Sequence, residues 1–163
     1  MTEHYCLHNK RDHKKALTYL QDRLYYWKTE LLLRSWEFTM EELDEAPPRM
    51  NASLKDPALF ARTYCSPNYK QARITIYLDT SGCIAGEQID NLACHETLHV
   101  MLSPISDVWE TSLINALDNE EHFDLLQPLL YGPEEGVVED LVFTLMKDQP
   151  RPKTKKKARR KKK

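Results

Sequence analysis

"NLACHETLHVMLSP", residues 91–104, is the stretch on which the reading of this chain turns. His95 and His99 stand four residues apart, with Glu96 directly after the first, in the order H-E-x-x-H. On a helix, positions i and i+4 lie one turn apart on the same face. Both imidazoles can then aim a ring nitrogen at a single metal ion. Glu96 lies about 100° round the helix, at the edge of that face. From there a carboxylate can act as general base on a metal-activated water without being a ligand. Zinc suits such a site, since it takes two imidazoles and a carboxylate with one position open to water. Chance yields this pattern in roughly one chain of this size in a few hundred, so its surroundings must support it.

The surroundings supply a helix and a preceding sheet. The motif helix is expected from about Gln88 to Ser103, ended by Pro104. Upstream, "ARITIYLD" (72–79) sets Ile74, Ile76 and Leu78 on one face and Arg73, Thr75 and Tyr77 on the other. "ALFARTYC" (58–65), joined to it by the turn-rich "SPNYKQ" (66–71), completes a hairpin. "TSGCIAG" (80–86) then breaks the sheet before the motif. Further back, "SWEFTMEEL" (35–43) alternates Trp36, Phe38 and Met40 with polar residues, the pattern of a half-buried strand. Residues 44–57 are a loop by composition. Residues 10–33 carry Leu17, Leu20, Leu24, Trp27 and Leu31 at helical spacing.

After the motif, helices are expected near 106–117 and 119–131, and a last one opening in "YGPEEGVVEDLVFTLMK" (131–147). There Gly132 is expected to break the chain, Pro133 suits a first helical position, and Glu134 and Glu135 suit a first turn. Val138, Leu141, Val142 and Leu145 would form its core face. The order implies an α+β fold: an N-terminal helix, a small three-stranded sheet with an edge strand, the motif helix, then C-terminal helices. Residues 1–149 read as one domain and residues 150–163 as a basic tail.

A third metal ligand must come from a later element. The extended form with a further Gly and His is absent, which leaves a carboxylate. Glu135 is the first candidate, and Glu139, one turn on, is the alternative ligand or a partner that orients a liganding imidazole. Glu120, Glu121 and His122 in "DNEEHFD" are further candidates. Gly136 would let two helices approach closely. Tyr131 and His122 are candidate donors to a developing oxyanion, whereas Tyr64 and Tyr77 read as packing residues.

"HETLH", preceded by "ARITIYL" and followed by "EEGVVEDL", resembles the small zincin metallopeptidases of the gluzincin type, over about residues 58–146. The spacing of these segments is also similar to that of short H-E-x-x-H proteins of bacteriophages and prophages. The resemblance implies a zinc-dependent hydrolase that cuts peptide bonds in a protein or peptide substrate. It implies His95, His99 and Glu135 as zinc ligands and Glu96 as base. It also implies that the strand before the motif helix, Arg73–Leu78, is an edge that pairs with an extended peptide.

Charge divides the chain. Residues 71–150 hold 15 acids against only Arg73 and Lys147, whereas "RPKTKKKARRKKK" (151–163) holds ten Lys or Arg and no acid. Acidic surroundings of the motif favour a divalent cation and a basic substrate. The tail cannot bury a core, and its charge suits a polyanion. Lys155, Lys156, Lys157, Arg159 and Arg160 are the candidate nucleic-acid contacts, and no aromatic residue is interleaved to stack on bases. The alternative reading is therefore an inactive zincin-fold protein that binds nucleic acid through this tail. No leader-like or membrane-spanning apolar run is readable, so the cytoplasm is the expected compartment, with Cys6, Cys65, Cys83 and Cys94 as free thiols and no membrane partner. Cys94 is expected to pack in the core, and the short-spaced His4, Cys6 and His8 make only a weak metal motif. Truncation after Pro150 is expected to leave folding unchanged and to lower any DNA or RNA affinity, which should itself fall steeply with salt; nucleic-acid binding unaffected by the truncation would exclude the tail's role.

Overall fold

The structure, a computed structural model, describes residues 3–43, 59–116 and 120–147, with the backbone alone described for 59, 113–116 and 120–133. The basic tail and the 44–58 loop lie outside the described residues. In chain order the elements are β1 (His4–Cys6), α1 (Lys10–Glu30), β2 (Glu37–Glu42), β3 (Leu59–Ser66), β4 (Gln71–Leu78), β5 (Cys83–Ala85), α2 (Gly86–Ala116) and α3 (Glu120–Lys147). The fold is α+β.

α1 begins at Asn9, whose side chain accepts from the Arg11 backbone N–H, one of the donors a helix start leaves unpaired. Its stripe buries Ala16, Leu20, Leu24 and Trp27, with Leu17 and Leu31 packed at the margin. This face meets Ile74, Ile76 and Leu78 of β4 and Ile89, Ala93 and Leu98 of α2 in one core. One polar clamp ties the two helices. Asp90 Oδ1 accepts from Arg23 Nε at 2.6 Å and from Trp27 Nε1 at 2.8 Å, which pairs the single polar atom of a fully buried indole.

β3 and β4 form the expected antiparallel hairpin, turned by a short 3-10 segment, Pro67–Tyr69, and by Lys70 in the left-handed region. β2 pairs with the other side of β4, in parallel, giving the order β2-β4-β3. The expected edge at Arg73–Leu78 is thus the centre of the sheet, and β3 is the edge beside the motif helix. The cause is β4's apolar content. Ala72, Ile74, Thr75, Ile76 and Leu78 are all buried, as a strand flanked on both sides requires. A second, two-stranded ribbon pairs β1 with β5 antiparallel, so the stretch expected only to interrupt the sheet forms a strand.

Pro104 does not end the motif helix; α2 continues to Ala116. A proline at this position leaves the carbonyl of residue i−4 without its helical partner. That carbonyl belongs to Val100, and Ser103 Oγ donates to it at 2.9 Å. Gly132 and Pro133 likewise lie within one helix, α3. Gly136 marks no close helix contact, since a Cβ built there meets nothing within 4 Å.

Asp90→Ala is expected to lower stability by about 2–3 kcal/mol, because it leaves a buried indole N–H and a half-buried guanidinium unpaired. Urea unfolding measures this; a loss below about 0.5 kcal/mol, the range of an ordinary surface change, would show that the clamp contributes little.

Candidate metal centre

α2 divides its circumference. Ala93, Cys94, Thr97, Leu98 and Val100 are buried, with Thr97 Oγ1 satisfied by the Ala93 carbonyl at 2.7 Å. Cys94 is fully buried, as expected of a packing residue, and burial pushes its thiol up to about 12. The remaining arc turns His95 and His99 toward a cleft of about 600 Å³, bounded by β3, α2 and the Glu134–Glu135 turn of α3.

Three donor side chains converge at its base. His95 Nε2 lies 3.0 Å from His99 Nε2 and 3.4 Å from Glu135 Oε2, and His99 Nε2 lies 3.3 Å from Glu135 Oε1. Ligand atoms roughly 2.0–2.1 Å from a tetrahedral ion stand about 3.3 Å apart, so in this triangle of side chains, with one Glu135 oxygen facing each imidazole, each separation is close to that between zinc ligands. The set is the one group among the described residues whose donors come close enough to share an ion. Two imidazoles and one carboxylate also leave a fourth position, and the open side of the triangle faces the cleft.

The same convergence sets the local electrostatics. Hydrogen bonds from His95 and His99 hold the Glu135 carboxylate far below the usual range, against the effect of partial burial. Burial is the largest influence on His99 and favours its neutral form, but Glu135, Glu96 and Glu134 together outweigh it and raise its pKa.

Glu96 leaves the triangle to the others. It is only 4% exposed, and Thr63 Oγ1 on β3 donates to its Oε2 at 2.6 Å. Burial raises its pKa above the carboxylate norm, while Thr63 and the two imidazoles pull it back. Glu96 also lines the cleft.

Glu134, given no role at the site by the sequence reading, stands behind the triangle. Its Oε1 lies 3.4 Å from His99 Nδ1, and its Oε2 accepts from Ser106 Oγ at 2.9 Å. A carboxylate behind a liganding imidazole fixes the ring and its tautomer. Glu139 is exposed and stands outside the group, because one further turn of α3 carries it away from α2. Glu120, Glu121, His122 and Tyr131 lie on α3 with side chains outside the described residues. Tyr64 is not a buried packing residue but 42% exposed, its ring flanked by the guanidinium groups of Arg62 and Arg73. Thr63, Glu134 and Ser106 had no signal in sequence beyond being polar; only the pairing of β3 with α2 and of α2 with α3 gives them a role.

No protein-family model, curated protein or solved structure matches this chain. No helix among the described residues is long and apolar enough to cross a membrane.

Zinc is expected to bind at one equivalent per chain and to be lost in His95→Ala/His99→Ala. Glu135→Ala should weaken binding more than Glu139→Ala does, and Glu134→Gln should weaken it by about 10–100-fold through His99. Metal analysis and calorimetry read this out. Full occupancy in the double histidine variant would place the metal elsewhere, and a larger loss from Glu139→Ala would move the third ligand.

Proposed function

We propose that this protein is a zinc-dependent peptidase, with His95, His99 and Glu135 holding the metal and Glu96 serving as general base. The observation that carries the reading is the position of Glu96. A carboxylate that lines the same cleft, next to a three-donor triangle but outside it, has no use in a purely structural zinc site, which fills all four positions from the protein.

When bound, zinc supplies a Lewis acid that polarises the scissile carbonyl and acidifies water. Glu96 takes the proton from the attacking water and delivers it to the departing amine nitrogen. Its burial favours this cycle, because it raises the proton affinity of the base that must accept the proton. Thr63 holds one carboxylate oxygen and so directs the other toward the cleft. Glu134 steadies His99 through Nδ1.

The substrate reading rests on β3. Among the described residues its outer edge is unpaired and borders the cleft through residues 61–65, and an extended peptide can add there as a strand. Among the described residues, Asp107, Glu110, Glu134 and Glu135 line the same cleft with Arg62 as its one Lys or Arg, which favours a basic peptide. Tyr131 and His122 remain the proposed oxyanion donors. The second reading, a nucleic-acid-binding protein without turnover, is favoured by the ten basic residues of 151–163.

Glu96→Gln separates the two. The amide is nearly isosteric and can still accept from Thr63, so zinc content and melting should be unchanged. It cannot take a proton, so cleavage of a peptide library enriched in Lys and Arg should fall by at least about 100-fold. Wild-type protein that holds zinc and cuts nothing favours the binding reading; Glu96→Gln cutting as well as wild type refutes the mechanism.

A further inference from the structure

The β1–β5 ribbon lies outside the metal centre and carries a second chemical feature. Its register sets Cys6 directly opposite Cys83. The Leu7 N–H donates to the Gly82 carbonyl and the Gly86 N–H to the Glu3 carbonyl, so rungs 3–86 and 7–82 are hydrogen-bonded. Rungs of an antiparallel pair alternate, which makes Cys6–Cys83 a non-hydrogen-bonded rung, the kind in which facing Cα atoms approach to about 4.5 Å. That separation lies within the range that a disulfide spans, about 4.4–6.8 Å. The two Sγ atoms are already in contact at 2.8 Å, and both thiols are free.

The neighbouring rung, Tyr5–Ile84, points into the core, with both residues buried. Cys6 and Cys83 therefore point to the opposite face, where Cys83 is exposed and Cys6 half-buried. Cys94 is fully buried and Cys65 partly so, which leaves this ribbon as the thiol pair open to a small oxidant among the described residues. The ribbon also matters for the fold. β5 runs without a gap into α2 at Gly86, so a covalent link at this rung joins the N-terminal strand to the start of the motif helix.

We propose that Cys6 and Cys83 form a reversible redox pair that reacts with small disulfides such as glutathione disulfide. The Cys83 thiolate attacks one sulfur of glutathione disulfide and expels one glutathione thiolate, leaving a mixed disulfide on Cys83. The Cys6 thiolate then attacks the Cys83 sulfur and expels the second glutathione. Two protein thiols are oxidised to one disulfide, glutathione disulfide is reduced to two glutathione molecules, and the two thiol protons pass to the thiolates released. The product closes a long loop, the case in which a cross-link restricts the unfolded chain most.

The test is to incubate the full-length, fully reduced protein with excess glutathione disulfide, quench with acid, alkylate, and read intact mass, peptide map and melting temperature. The expected result is a Cys6–Cys83 linked peptide with no glutathione retained on either residue, and a melting temperature higher by about 5–10 °C that dithiothreitol reverses. Cys83→Ser should show neither the linked peptide nor the shift. Stable glutathione adducts on Cys6 or Cys83 in place of the link would overturn the proposal, as would both residues remaining fully alkylatable. The wild-type peptide map decides the matter even if Cys83→Ser does not fold.

Discussion

The constraint on which the site depends is that α2 must be buried along one arc and open along another within the same two turns. Ala93, Cys94, Thr97 and Leu98 are sealed against α1 and β4, and the Asp90 clamp holds this packing in place. With that arc fixed, the helical repeat leaves His95 and His99 no direction but the cleft. Sheet and N-terminal helix thus bear on the candidate metal centre by fixing the rotation of α2 about its axis, and β3 also directly, through Thr63.

The polar groups around the centre divide into those that converge and those that hold. His95, His99 and Glu135 converge, and the cost of setting a carboxylate against two half-buried imidazoles is offset by the hydrogen bonds that depress its pKa. Thr63, Ser106 and Glu134 hold: Thr63 fixes one oxygen of Glu96, Glu134 faces His99 Nδ1, and Ser106 in turn fixes Glu134. Contacts of this kind restrict the rotamers of His99 and Glu96 from neighbouring elements.

Glu96 is a group on whose charge the fold acts in both directions. In water it would be ionised at neutral pH. Burial opposes the charge, and Thr63 and the adjoining imidazoles favour it. A carboxylate placed between these influences has the character that the proposed general-base role asks of Glu96.

What the sequence determined by itself was local. The i, i+4 spacing of His95 and His99, the apolar stripe of α1 and the turn joining β3 to β4 are set within a few residues, and each is seen where the sequence places it. The sequence also put Glu135 forward as a carboxylate for the group, and the structure sets it beside His95 and His99. The tertiary structure decided whatever depends on pairing across long separations. Parallel pairing of β2 moved the sheet edge from β4 to β3, and that edge brought Thr63 to Glu96. α2 ran through Pro104 because Ser103 took up the orphaned Val100 carbonyl, and that extension brought Ser106 to Glu134. The β1–β5 register set Cys6 against Cys83 across most of the chain that precedes the motif helix. In each case two segments meet because of shared burial, and burial is a property of the assembled surfaces that no single segment carries.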